Sequence, residues 1–185
     1  MYTCSPVILS SLPICEDVAD FVNKINENCE PDMWASLLSL PFTMKQPAHF
    51  DFDPSKVVHL PDSHKPLLTV VALEDNTFLD VWVGYKQLLD GSLTTPLRST
   101  RIYLNSGDVL VFVGDLIHAG SAYDEENIRR YCYFPLLRSS VPRPENQTHQ
   151  VHRLKGEFSY LAQLVDEELP DTVLELRAKH GDSDF

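Results

Sequence analysis

Four side chains in this sequence have the types and spacings that chemistry at a metal would need. His49 and Asp51 stand two apart in H-F-D. In an extended chain both project from one face while Phe50 goes to the other, so an imidazole and a carboxylate are offered together to a single ion. His118 closes the run G-D-V-L-V-F-V-G-D-L-I-H (107–118), and Arg129 follows it by 11 residues inside I-R-R-Y-C-Y-F (128–134). An imidazole and a guanidinium in such apolar company need partners, since burying an unpaired polar group costs about 2–7 kcal/mol and an unpaired charge more. A metal ion suits His118, and a carboxylate suits Arg129.

Elements able to position these residues can be read around them. From Thr43 the pattern takes a period of two through Asp53. Further strands are expected over Leu67–Leu73, Phe78–Val83, Arg98–Leu104, Val109–Val113 and Ile128–Leu136, divided by Pro, Gly, Asp and Asn turns. Nothing helical separates them, which predicts a β sandwich or barrel rather than a β-α-β array. Ahead of the strands, Glu16–Asn28 places Val18, Phe21, Val22 and Ile25 at helical spacing with acids near its start, and Met33–Leu40 reads as a second short helix or turn closed by Pro41. Behind them, Phe158–Glu168 and Thr172–Lys179 read as helices split at Pro170. The expectation is one domain over 1–185: helical N-terminal support in 1–42, a β core in 43–137 and C-terminal helices in 145–180.

Bulk properties narrow the function. The chain has 185 residues, 43% hydrophobic and 23% charged, an ordinary globular composition. A net charge of −12 argues against a broad phosphate-binding surface, so nucleic acid is not the expected partner. Cys4, Cys15, Cys29 and Cys132 are widely spaced and read as reduced thiols. No run approaches the ~20 apolar residues of a membrane helix, and the start lacks a basic segment before its apolar stretch. A soluble intracellular protein, in the cytoplasm, is the expectation.

The ordered set H-x-D, then G-D-x-L-x-F-x-x-x-x-x-H, then Arg eleven residues on, resembles the Fe(II)/2-oxoglutarate-dependent dioxygenase superfamily. It is most similar to the phytanoyl-CoA-hydroxylase-like and prolyl-hydroxylase-like branches. The resemblance spans about Gln46 to Phe134. T-F-L-D-V-W-V-G-Y-K (77–86) is similar to a segment that reads G-x-L-x-V-x-P-G-S-H in many relatives, without its Pro and Ser-His. The resemblance implies a double-stranded β-helix, or jelly roll, of the cupin kind with flanking helices. It further implies that His49, Asp51 and His118 hold Fe(II) as a 2-His-1-carboxylate triad with three positions open, and that Arg129 takes the C5 carboxylate of 2-oxoglutarate. O2 is the co-oxidant, with ascorbate as an accessory reductant. The reaction implied is hydroxylation of a small-molecule or peptide substrate, with release of succinate and CO2. A carboxylate at position 51 favours hydroxylation, because halogenation needs that ligand missing to admit chloride.

Competing readings exist for each residue: His49 and Asp51 could be a surface histidine with a solvated acid, and His118 a core histidine bonded to a backbone carbonyl. Arg130 rivals Arg129, because neighbouring strand residues face opposite ways; the 11-residue spacing favours Arg129. Arg129 could instead pair with Asp124 or Glu126. Asp53 shares a face with Asp51, but Pro54 ends the strand there, which makes it rim. His59 and His64 fall in a Pro-rich loop, and His149 and His152 form an H-x-x-H without a third ligand. Tyr131 stands where some relatives carry a Ser two residues after the Arg, so a hydroxyl beside the guanidinium has to come from elsewhere, with Tyr103 and Tyr133 as candidates. At the level of function the alternatives are a non-catalytic jelly-roll metal-binding or structural module, and a cupin-type metalloenzyme that does not use 2-oxoglutarate.

Overall fold

The structure, a computed structural model, describes residues 3–5, 13–84, 86–87, 96–137, 141, 149–155, 158, 161 and 165. The strands among them are β1 (Thr3–Ser5), β2 (Met33–Ser39), β3 (His49–Phe50), β4 (Leu67–Ala72), β5 (Thr77–Trp82), β6 (Thr100–Leu104), β7 (Val109–Val113), β8 (Ile117–Gly120), β9 (Asn127–Phe134) and β10 (His149–Gln150). They form two five-stranded sheets ordered β1-β2-β9-β4-β7 and β10-β3-β8-β5-β6, with neighbours antiparallel. This is the β sandwich or barrel expected from the strand pattern, in the jelly-roll form that the family resemblance implies.

Three apolar clusters explain why these segments pair as they do. Between the sheets lie Leu68, Val70, Leu79, Val81, Phe112 and Tyr131. The outer face of the β9-β4 sheet is covered by the helix α1 (Pro13–Ile25), whose Val18 and Val22 meet Leu67, Val71, Cys132 and Phe134. The outer face of the other sheet presents Phe50, Trp82, Ile117 and Ala119, which pack against Val151, Phe158, Leu161 and Val165. Each fully buried Val, Leu, Ile or Phe contributes about 1.5–3 kcal/mol. Strands covered on both faces lose the in-out alternation, and all six residues of β4 are buried, hence the uninterrupted L-L-T-V-V-A.

The structure departs from the sequence reading in several elements. Met33–Ser39 is a strand, not a helix, and pairs over its whole length with β9. The Met, Ala and Leu content of M-W-A-S-L-L-S favours helix locally, but the long ladder to β9 outweighs that small propensity. In α1 the buried residues are Cys15, Val18 and Val22, whereas Phe21 and Ile25 of the expected apolar face are half exposed. Of the alternating run 43–53 only His49–Phe50 is strand. Ile117–Gly120, not anticipated as a strand, lies between β3 and β5. The helices expected over 158–168 and 172–179 fall almost entirely outside the described residues. Among the described residues, no helix is long and apolar enough to cross a membrane.

Candidate metal centre

The topology brings three of the four singled-out residues to one point. β3 and β8 are adjacent, and their single paired position is His49 opposite His118. Both imidazoles therefore enter the space between the sheets, while Phe50, Ile117 and Ala119 face away into the outer cluster. Asp51, just past the end of β3, completes the group. One ligand atom from each of the three residues lies within 4.8 Å of the others, and all three residues are buried.

The Asp51 carboxylate stands between the rings, with Oδ1 3.6 Å from His49 Nε2 and Oδ2 3.6 Å from His118 Nε2. The ring centroids are 4.5 Å apart. Each histidine is oriented from behind: His49 Nδ1–H donates to the Pro47 carbonyl at 2.7 Å and His118 Nδ1–H donates to the Leu116 carbonyl at 3.0 Å. A carbonyl can only accept, so Nδ1 carries the proton and the Nε2 lone pair is turned inward. Asp51 Oδ2 and His118 Nε2 are buried without a hydrogen-bond partner among the described residues. Two inward nitrogens and a carboxylate on one side of a point, with buried atoms unsatisfied, fit a divalent first-row metal with open positions opposite.

Electrostatics separate the two histidines. Burial and the neighbouring His118 charge push His49 down to about 4 from 6.5. Burial also opposes the charge on His118, but the Asp51 carboxylate outweighs it and raises that imidazole above its usual value. Burial alone would lift Asp51; the close His118 charge, with the His49 charge and the Tyr133 hydroxyl, holds the carboxyl below its usual value instead. Without metal at about pH 6, His49 is then neutral and His118 mostly charged. Metal uptake at that pH should release close to one proton rather than two. Calorimetric titration with Ni(II) in buffers of different ionisation enthalpy measures it, and release of two would overturn the assignment.

Arg129 enters the same interior from β9. It is 1% exposed, and its Nη1 donates to Ser39 Oγ at 2.8 Å. Its guanidinium carbon lies 5.4 Å from the centre of the Tyr123 ring. Nε has no hydrogen-bond partner, and no ion pair to Asp124 or Glu126 is formed among the described residues. Arg130 turns the other way, toward α1, where its Nη1 meets Cys15 Sγ at 3.3 Å. Arg130→Met should therefore leave ligand binding inside the barrel unchanged, which isothermal titration checks.

Other candidates sit elsewhere. Asp53 caps the helix α2 (Pro54–Val57) by accepting from Ser55 N at 3.0 Å. His59 and His64 are exposed, His64 beside Ser63 Oγ. His149 pairs with Phe50 at the sheet edge, and His152 is buried next to the outer cluster. Tyr103 is 68% exposed and packs on Phe78, so it is not the hydroxyl beside the guanidinium. That hydroxyl is Ser39, which the sequence reading missed. Ser39 is 90 positions from Arg129 and stands in a segment read as helix; a strand assignment for β2 was the signal that could have found it.

No protein-family model matches the sequence, and no curated protein matches it. Solved structures do resemble it in shape. HygX from Streptomyces hygroscopicus, with nickel and 2-oxoglutarate bound, is 14% identical at a TM-score of 0.53, over 77% of this chain and 73% of its own. AviO1 from Streptomyces viridochromogenes Tue57 is 14% identical at 0.54, over 77% and 69%. SnoN, a non-heme alpha-ketoglutarate-dependent epimerase from nogalamycin biosynthesis, is 16% identical at 0.51, over 85% and 75%. What is shared at such identities is the fold: this chain is a jelly roll, a double-stranded β-helix of the shape those proteins have.

Proposed function

We propose that this chain is an Fe(II)- and 2-oxoglutarate-dependent oxygenase that hydroxylates a small-molecule or peptide substrate, using O2 and releasing succinate and CO2. The observation that carries the reading is the convergence of His49, Asp51 and His118 within the same barrel that holds a buried Arg129 lacking a carboxylate partner among the described residues. The likeness in fold to HygX with nickel and 2-oxoglutarate bound supports it. The ordered H-x-D, His and Arg set, with its 11-residue His118-to-Arg129 spacing, supports the phytanoyl-CoA-hydroxylase-like or prolyl-hydroxylase-like branch within this reading.

In this reading His49 and His118 supply neutral nitrogen ligands once His118 gives up its proton, and Asp51 supplies the charge that favours a divalent ion. Iron, when bound, supplies the activation of O2 that drives oxidative decarboxylation of 2-oxoglutarate and insertion of one oxygen atom into a C–H bond. Arg129 fixes the distal carboxylate through its planar fork. The apolar walls around it, Leu79, Val81, Phe112 and Tyr131, keep water away from the reacting atoms. SnoN is an epimerase, so the fold leaves the outcome open. Retention of Asp51 is what favours hydroxylation. The cytoplasm and a partner that is neither nucleic acid nor membrane belong to the same proposal.

The test is anaerobic addition of Fe(II) and 2-oxoglutarate to the metal-free protein. A weak visible charge-transfer band and slow, substrate-independent succinate formation on admitting O2 are expected. Folded protein that takes up no iron and gives no band would remove the reading.

A further inference from the structure

Gln46, which the triad does not use, is tied to the strand that carries His118. Its backbone N–H donates to Gly120 O at 2.9 Å, and Gly120 N–H donates back to Gln46 Oε1 at 2.8 Å. The donor is a backbone N–H, so the amide orientation is settled by chemistry: oxygen toward Gly120, with the two N–H of Nε2 left to offer. Gly120 lies two residues after His118, so its side-chain direction points into the barrel as that of His118 does. A Cβ there would lie 2.5 Å from Gln46 Oε1 and 3.1 Å from Arg129 Nη2. The missing Cβ is therefore the spot over which a carboxamide and a guanidinium converge, and a glycine is what makes room for both.

We propose that Gln46 and Arg129 together form the carboxylate subsite of the barrel, with Gln46 acting both as a second donor to the ligand and as the clamp that holds β3 against β8. The proposal deepens the reading of Arg129 given above and rests on it. The clamp matters because the β3–β8 ladder has one paired position, the two metal-ligand histidines themselves. Gln46 fastens the chain three residues before His49 to the position two residues after His118. A ligand carboxylate held by Arg129 and Gln46 is thus coupled through one side chain to the spacing of the two imidazoles.

The experiment uses glutarate, which has both carboxylates of the cosubstrate but no ketone with which to chelate a metal. Gln46→Glu keeps an oxygen to accept from Gly120 and places a negative charge beside Arg129, an in-chain rival for the guanidinium. It should weaken glutarate binding by about tenfold or more, with Ni(II) affinity within about twofold of the wild type. Gln46→Leu leaves the backbone bond to Gly120 but removes the side-chain half of the clamp and the donor together, and should weaken both glutarate and Ni(II) binding. Gln46→Glu that binds glutarate as the wild type does, or Gln46→Leu that leaves both affinities unchanged, overturns the proposal. Wild-type protein that binds glutarate yet gives no band with Fe(II) and 2-oxoglutarate would remove the oxygenase reading and leave the subsite standing. Wild-type protein that binds neither diacid removes the subsite.

Discussion

Arg129→Met is expected to lower the affinity for 2-oxoglutarate by roughly 100-fold or more, while Ni(II) uptake and the melting temperature hold or the latter rises. Removing one member of a buried, hydrogen-bonded charge pair costs about 2–5 kcal/mol of binding, and each 1.4 kcal/mol is a factor of ten. Stability should move the other way. In the ligand-free protein the guanidinium is 1% exposed and bonds Ser39 through Nη1, with Nε unsatisfied. A buried cation without a counter-charge is a standing cost that an unbranched apolar side chain of similar length relieves. Calorimetric titration with 2-oxoglutarate at saturating Ni(II), beside thermal melts of the metal-free proteins, measures both quantities. Unchanged binding would assign the carboxylate elsewhere, and a large drop in melting temperature would make Arg129 a structural residue.

The second large effect is at Asp51. Asp51→Asn keeps the shape and removes the charge, so metal affinity should fall by more than the roughly 10–100-fold that loss of a supporting contact costs. It also changes how the metal-free protein responds to pH. The Asp51 carboxylate raises the folded-state value of His118. A raised histidine contributes stability that is fully present below its unfolded value near 6.5 and is lost as pH climbs through the folded value. The wild type should therefore be most advantaged over Asp51→Asn at about pH 5–6, and that advantage should shrink as pH rises past neutrality. His49 shifts the opposite way, held down to about 4 by burial and the neighbouring His118 charge, so in the wild type it stays neutral over this range. Melting curves without metal at several pH values decide it; a gap that widens with pH would contradict the pairing of Asp51 with His118.

How much of this could be read from the sequence follows from where each partner lies along the chain. H-x-D, G-D-x-L-x-F and the spaced His and Arg are local patterns, so the triad was legible; alternation says only that Arg129 and Arg130 face opposite ways, and it was the family spacing that favoured Arg129. β8 was not. I-H-A-G is four residues long and buried on both faces, so it shows no alternation. β2 hid for a related reason: both faces of W-A-S-L-L-S are partly covered, with Trp34 packed against the cluster that α1 joins, and its pairing energy comes from a strand nearly a hundred positions away. Ser39 and Gln46 are ordinary polar residues in their own neighbourhoods. Their roles exist only across contacts spanning 90 and 74 positions, and no window of sequence contains such a contact.

One feature on the far side of the barrel has a bearing on the ion. The backs of the two strands bearing His49 and His118 are roofed by Val151, Phe158, Leu161 and Val165, and Val151 N–H donates to the Ala48 carbonyl at 2.8 Å. Occupancy of the ion and seating of that later stretch of chain are then linked equilibria, each favouring the other. Saturating nickel should slow proteolytic cutting beyond residue 150, and chain clipped there should surrender its nickel to a chelator sooner than the intact protein does.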